Sequence, residues 1–261
     1  MSNQDILFKV AAPVASVTFN RPDVRNSMRF GMYDELENIC RRVADDERIR
    51  VLTLRGAGGR AFVAGTDIGE FGGFRSDDDA IAYERRIEQV VGALECLECV
   101  TIAILEGACA GGGVAMALAC DFRFSNRALK FGVPVARTLG NCLAVSNVAR
   151  LIDHLGVAKT REMLMLATFL DADACRRLGV VNDSFEDDVL DAKVGEVIDR
   201  ILSLAPLTLR ASKIAIRRTL EARRAASGAS EDLIRSCYSS TDFHEATAAF
   251  LRKERHQWRG R

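Results

Sequence analysis

The sequence has no excess of charge of either sign. Its 261 residues contain 36 Lys and Arg against 36 Asp and Glu, so the charge balance does not indicate a nucleic-acid partner. Long uncharged apolar runs are also missing. The longest, 100–120, contains Glu106 and four glycines, which is typical of a buried strand and helix and not of a membrane span. The first ten residues lack the apolar core of a signal peptide, so we expect a cytoplasmic protein with no membrane partner.

A disulfide framework and a metal centre are likewise not indicated. The eight cysteines are irregularly spaced and lie mostly in apolar surroundings, which favours free thiols in a reducing compartment. Cys96 and Cys99 form a C-x-x-C motif, but neither a second pair nor a histidine cluster accompanies it. We therefore interpret this pair as structural and predict no bound metal.

What is present is a pattern of short strands and helices in one large α/β domain. Residues 6–10 and 14–20 predict an antiparallel pair of strands, and 50–56 and 101–105 predict buried strands. Further strands are predicted at 121–125, 129–131 and 179–182. Helical spacing predicts helices over 29–46, 77–98 (with Asp77 as N-cap), 111–119, 143–155, 158–167, 171–178, 187–204, 206–225 and 231–256. We expect an α/β core over 1–200 and a helical region over 201–261 that packs on a neighbouring subunit.

Two glycine-rich loops each lie between a predicted strand and a predicted helix. They are "AGTDI" at 64–68 and "GACAGGG" at 107–113. The first amides of a helix have no internal partner, so two such loops converging on one point would form an oxyanion hole. Close packing of strand against helix would explain the same glycines, and spacing alone leaves both interpretations open. Neither loop matches a nucleotide-phosphate motif.

Six segments together resemble the crotonase (enoyl-CoA hydratase/isomerase) superfamily, in the order and at the spacing of that family. They are "FNRPDVRNSM" (19–28), "AFVAGTDIGEF" (61–71), "EGACAGGGVAMALACDFRFS" (106–125), "LKFGVP" (129–134), "ACRRLGVVN" (174–182) and "DFHEATAAFLRKER" (242–255). The resemblance implies a crotonase-like spiral of ββα units with a C-terminal helical region. It also implies a homotrimer, or a hexamer built as a dimer of trimers.

The same resemblance implies an acyl-CoA substrate and no cofactor beyond its coenzyme A portion. The thioester oxygen would be held by the backbone amides of Thr66 and Gly112. Coenzyme A would lie near a further set of residues: Arg25, Asn26, Ser27, Ala64, Ile68 and Lys253.

The sequence departs from the family pattern where hydratases carry their two glutamates. One position, two residues after the last glycine of "GGG", is Ala115, and the other, after the proline of "FGVPV", is Val135. Hydration requires a group that activates water and one that protonates the α-carbon, and these side chains do neither. The three histidines lie in predicted helices and do not replace them. True hydration is therefore not expected. We expect instead a decarboxylase-like or other lyase or isomerase reaction.

The polar residues expected nearest the pocket are Thr138, Asn141 and Arg137. Arg137 could hold a substrate carboxylate, or it could face solvent or a subunit contact. The alternative to an enzyme is a catalytically silent paralogue that binds acyl-CoA, and coenzyme A binding alone would not separate the two.

Overall fold

A computed structural model of the chain describes residues 4–224 and 231–260. The described strands are β1 (Ile6–Ala11), β2 (Val14–Phe19), β3 (Val51–Gly56), β4 (Ala61–Val63), β5 (Val100–Leu105), β6 (Ala108–Ala110), β7 (Phe122–Asn126), β8 (Lys130–Gly132), β9 (Leu170–Asp171) and β10 (Asp183–Phe185). The described helices are α1 (Phe30–Ala44), α2 (Asp77–Glu95), α3 (Gly112–Ala119), α4 (Val135–Thr138), α5 (Val145–Met165), α6 (Ala172–Arg177), α7 (Asp187–Ser203), α8 (Pro206–Arg224), α9 (Glu231–Tyr238) and α10 (Thr241–Leu251). Short 3-10 helices cover Pro22–Val24 and Ile68–Gly73.

The strands form two sheets. One has six strands in the order β1-β2-β3-β5-β7-β10, and the other has four in the order β4-β6-β8-β9. Only β1–β2 and β8–β9 pair antiparallel, and the other described pairs are parallel. Three successive repeats, β3–β4–α2, β5–β6–α3 and β7–β8–α4, each give their first strand to the larger sheet and their second to the smaller. This is the predicted ββα spiral.

The degree of burial of each strand follows from its position in the sheet. β2 alternates between buried and half-buried residues, as a strand near a sheet edge does, whereas every residue of β5 is buried. A fully buried parallel strand has both faces covered and reads as a continuous apolar run. The helix α3 is buried over all its residues after the first. The long apolar run at 100–120 therefore forms a buried strand and a buried helix of the core, as the sequence predicts.

Four details of the secondary structure differ from prediction. The two helices expected at 143–155 and 158–167 form the single element α5, which is kinked at Gly156, where φ is +70°. The helix expected over 231–256 is two helices, because Ser240 begins α10 by accepting a hydrogen bond from the Phe243 amide. The strand expected at 179–182 lies at 183–185 instead. Ser76, with its capping box, is the N-cap of α2 in place of Asp77.

The C-terminal part is helical as predicted, although residues 225–230 and 261 of the expected 201–261 region lie outside the described residues. Among residues 4–224 and 231–260, no helix is both long and apolar enough to cross a bilayer. All eight cysteines are free, as their spacing predicts.

Candidate active site

The two glycine-rich loops lie side by side because the strands that precede them do. β4 and β6 are parallel neighbours in the smaller sheet. The two loops that follow these strands therefore leave the sheet at the same edge. The contact is close: a Cβ atom placed on Gly111 would lie 3.5 Å from the Cα of Gly65. Both glycines have positive φ, +53° and +108°, a backbone conformation that other residues rarely adopt.

Each of the three consecutive glycines is required for its own reason. Gly111 turns the chain at positive φ. A Cβ on Gly112 would lie 2.8 Å from the Tyr33 hydroxyl, and a Cβ on Gly113 would lie 2.3 Å from the Val63 carbonyl oxygen. The packing interpretation therefore holds for Gly113, while Gly112 leaves bare backbone beside a polar group.

Two backbone amides remain available on these loops. Gly112 is the first residue of α3, so its N–H has no partner within the helix. Around Thr66, the Gly65 carbonyl accepts from Met28 N and the Asp67 amide donates to Met28 O, at 2.9 and 2.8 Å. The hydrogen bonds between described residues use neither the Thr66 nor the Gly112 amide.

Both residues line one cavity of about 160 Å³. Most of its wall is apolar, with contributions from Ile87, Val114, Leu118, Val133 and Leu151. An apolar wall with a few polar groups is typical of a small-molecule site.

A chain of hydroxyl groups borders this cavity. The Thr66 side-chain oxygen lies 2.7 Å from the Tyr33 hydroxyl and 2.6 Å from the Tyr83 hydroxyl. Burial raises the pKa of both tyrosines above the ordinary value, so each stays a neutral phenol. These bonds hold the loop that carries the Thr66 amide.

Two apolar residues to which the sequence drew attention also face this cavity. Ala115 and Val135 both line it, and both side chains are hydrocarbon. Neither side chain can take up or deliver a proton at this site.

One carboxyl group lines the cavity, and it is not among the site residues predicted from the sequence. Glu84, on α2, is 4% exposed. Its Oε1 accepts a hydrogen bond of 2.6 Å from the Tyr238 hydroxyl. Burial raises the pKa of Glu84 to about 7, and hydrogen bonds from Tyr238 and the Ala144 backbone partly offset that rise. The spacing of α2 could have indicated the burial of Glu84. This residue falls on the buried stripe of the helix, which consists of Ala80, Glu84, Ile87 and Val91.

The three polar residues expected near the pocket are placed differently from one another. Thr138 and Asn141 line the cavity. The Thr138 hydroxyl donates to Pro134 O at 3.1 Å, and Asn141 Nδ2 donates to the Tyr238 hydroxyl at 3.1 Å. Arg137 is not brought to the cavity: it is exposed, and its guanidinium lies over the Phe169 ring at 5.8 Å.

Three of the residues expected near coenzyme A lie in the loop before α1. Arg25 is exposed and has φ +55°, and its carbonyl accepts from Ala64 N at 3.1 Å. Ser27 is half-buried, and its carbonyl accepts from Arg21 Nη1 at 2.7 Å. Asn26 is 1% exposed, so its side chain shapes the loop and is not presented to a ligand.

Of the remaining three, two line the cavity and one does not. Ala64 and Ile68 line the cavity. Lys253 is exposed, follows the end of α10 and has φ +59°. Among the described residues there is no cluster of three or more His, Cys, Asp or Glu side chains arranged to hold a metal ion.

Comparison with known proteins agrees with this architecture. A family model described as Enoyl-CoA hydratase/isomerase matches residues 9–261. The short-chain-enoyl-CoA hydratase of Clostridium acetobutylicum is 29% identical over 261 residues, covering 98% of this chain and 97% of that protein. The crotonyl-CoA hydratase of Syntrophomonas wolfei is 29% identical over 256 residues, covering 98% of each chain.

A solved structure shows the same fold. The crystal structure of an enoyl-CoA hydratase/carnithine racemase from Magnetospirillum magneticum has a TM-score of 0.80 and 32% identity, covering 100% of this chain and 97% of that chain. The resemblance drawn from the six sequence segments is thereby confirmed: the chain belongs to the enoyl-CoA hydratase/isomerase family of the crotonase superfamily.

Proposed function

We propose that this protein acts on an acyl-CoA thioester and stabilises the enolate of that thioester with the amides of Thr66 and Gly112. The observation that carries the proposal is that two loops with unused amides touch each other at one apolar cavity. Fixed N–H donors aimed at a developing oxyanion contribute about 10²–10³ in rate per donor. No cofactor beyond the coenzyme A of the substrate, and no metal, is required for this step.

The reaction that we propose is a lyase or isomerase reaction and not hydration by the family's usual glutamate pair. The relatives named above are hydratases, but Ala115 and Val135 can neither activate water nor deliver a proton. Loss of CO2 from an acyl-CoA carboxylate forms the enolate without a base and needs one proton delivered to it, whereas movement of a double bond needs one proton removed from the carbon chain and returned to it.

For the coenzyme A portion, we propose contacts with the exposed Arg25, with Ser27, Ala64 and Ile68, and with Lys253. Asn26 contributes by holding the backbone of this loop.

For the assembly, we propose a cytoplasmic homotrimer or hexamer in which the helical region 201–261 packs on neighbouring subunits. Exposed apolar side chains on α8 support this proposal, since Leu207 is 76% exposed and Ile216 is 63% exposed, and such side chains often mark an interface. Light scattering coupled to size-exclusion chromatography tests it, and a monomer at micromolar concentration would contradict it.

The substrate test is an incubation of the pure protein with crotonyl-CoA, a 3-enoyl-CoA and malonyl- or methylmalonyl-type CoA esters, with products identified by mass spectrometry. Turnover of a 3-enoyl or carboxylated ester, with negligible hydration of crotonyl-CoA, is the expected result. Rapid hydration of crotonyl-CoA would contradict our interpretation of Ala115 and Val135. Binding without turnover of any ester would favour the silent paralogue, which the same two substitutions also support.

A matched pair of variants tests the amide of Gly112. In a Tyr33→Phe background, which removes the hydroxyl that a Cβ would meet, Gly112→Ala keeps the amide and Gly112→Pro removes it. Proline is tolerated at the first position of a helix, so both variants should fold. We expect the proline variant to be about 10²–10³ slower than the alanine variant. Equal rates would contradict the oxyanion role.

A further inference from the structure

The cavity contains one group that is able to exchange protons near neutral pH, and that group is Glu84. Of the described residues that line the cavity, only Tyr83 and Glu84 have titratable side chains. Tyr83 is held as a neutral phenol by burial. Glu84 comes from α2, which lies outside both of the loops that carry the amides.

The surroundings of Glu84 do not neutralise it, as a purely structural buried carboxylate would require. No ion pair between described residues involves Glu84. Its polar partners are a phenol and a backbone amide, and a neutral glutamine could make comparable contacts. A carboxyl group buried without a cation is costly, and such groups are concentrated at functional sites.

The titratable and charged groups around Glu84 come from several elements. They are Tyr33 on α1, Tyr83 and Glu88 on α2, Cys142 before α5, and Tyr238 on α9. Burial has the largest effect on the pKa of Glu84 and raises it. The charge of Glu88 raises the same pKa by a smaller amount.

We propose that Glu84 is the acid–base residue of this site, taking a proton from the α-carbon of the thioester and returning it to the carbon chain. This inference rests on the proposed acyl-CoA function. In the forward step, the α C–H bond breaks and the proton goes to the Glu84 carboxylate. The C–H electron pair forms the Cα=C double bond of the enolate, and the carbonyl π pair moves onto the thioester oxygen between the two amides. Return of a proton to the α-carbon restores the Glu84 carboxylate and completes an exchange. With a 3-enoyl ester, whose enolate extends to the γ-carbon, return of the proton to that carbon completes a double-bond shift. No further reactant is needed.

The described lining residues provide one carboxyl group, and the proposed step moves one proton. Hydration would need a second group to activate water, and among the described lining residues there is no second carboxylate. With a pKa near 7, Glu84 is present in both protonation states at neutral pH, as a group that must take and return a proton should be.

The test is exchange of α-protons for deuterium in butyryl-CoA, followed by mass spectrometry in D₂O. Glu84→Gln keeps the size and hydrogen-bonding capacity of the side chain but cannot carry the proton. Glu88→Gln is the matched control, because Glu88 is exposed one turn further along the same helix. We expect Glu84→Gln to slow exchange at least about 100-fold, Glu88→Gln to change it less than about twofold, and both to bind butyryl-CoA as the wild type does by calorimetry.

Each outcome separates this inference from the proposed function. Exchange that survives in Glu84→Gln would overturn the role of Glu84 and leave the acyl-CoA function standing. Binding without exchange by the wild type would also overturn it, whereas absence of acyl-CoA binding would overturn the proposed function itself. If Glu84→Gln does not fold, the wild-type rate decides: a rate independent of pD between about 5.5 and 8.5 would overturn the inference.

Discussion

The Tyr238 hydroxyl donates a 2.6 Å hydrogen bond to the Glu84 carboxylate, and this bond joins the end of α9 to the wall of the cavity. Tyr238 is itself held by Asn141, whose amide donates to the phenol oxygen at 3.1 Å. A residue distant in sequence therefore lowers the pKa of the only carboxyl group among the described lining residues, against the larger rise caused by burial.

The first prediction is that Tyr238→Phe shifts the pH profile of activity. The hydrogen bond favours the carboxylate and lowers the pKa of Glu84, so its removal should raise that pKa. If Glu84 acts as a base, the rising limb of kcat/KM against pH should move to higher pH by about one unit. Tyr33→Phe is the control, because its hydroxyl bonds to Thr66 and not to Glu84. A limb that moves equally in both variants would contradict the prediction.

The second prediction concerns stability, and its sign follows from proton binding. Burial raises the pKa of Glu84 from 4.5 to about 7 in the folded protein. Between these values the folded protein holds a proton that the unfolded chain has released, so the free energy of unfolding falls as pH rises and levels off above about pH 7. The loss should be on the order of 3 kcal/mol.

Glu84→Gln removes this titration and isolates its effect. The difference in unfolding free energy between wild type and Glu84→Gln, measured by urea denaturation from pH 4.5 to 8, should fall by that amount as pH rises. All other titrating groups are common to both proteins and cancel. A difference that does not change with pH would show that Glu84 titrates as an exposed glutamate.

The third prediction compares two helical glycines. A Cβ at Gly113 would lie 2.3 Å from the Val63 carbonyl oxygen, whereas a Cβ at Gly92 in α2 would meet no atom within 4 Å. Gly113→Ala should therefore destabilise the protein by about 1–3 kcal/mol or more. Gly92→Ala should be neutral or stabilise it by up to about 1 kcal/mol, because alanine favours the helix. Urea denaturation of the two variants measures both, and equal effects would contradict the close contact of α3 with β4.

The sequence predicted the main elements because hydrophobic spacing is strong in α1, α2 and α7 and in the strands β3 and β5. It did not predict β4, β6 and β9, which have two or three residues each and are specified by pairing with neighbours and not by local pattern. The kink at Gly156 depends on a positive φ. The sequence contains twenty glycines, and nothing in it indicates which of them adopts this conformation.

The two loops and their glycines were found from the sequence, since a strand, bare glycines and a helix in succession leave a local trace. Glu84 was missed because its surroundings are built from distant segments: Tyr238 lies 154 positions away along the chain. Its place on a buried helical stripe was a usable clue, but an isolated glutamate in a helix is usually solvated.

The last prediction separates structural from ligand-binding roles in the loop before α1. Asn26 is buried, and its side chain makes three hydrogen bonds to backbone atoms. It accepts from Arg21 N at 2.9 Å and donates to the carbonyls of Ala57 and Ala61 at 3.0 and 2.7 Å. Asn26→Ala leaves these groups without partners and places alanine at φ +55°, so we expect a loss of about 3 kcal/mol in the free energy of unfolding.

The matched control is Asn38→Ala on the exposed face of α1, which should change stability by less than about 0.5 kcal/mol. Calorimetry under conditions where Asn26→Ala remains folded should show acyl-CoA affinity within about threefold of the wild type, because the side chain holds the loop from inside. Wild-type stability combined with a large loss of affinity would instead make Asn26 a direct ligand contact. That outcome would require the loop to open, since a side chain 1% exposed cannot reach a ligand otherwise.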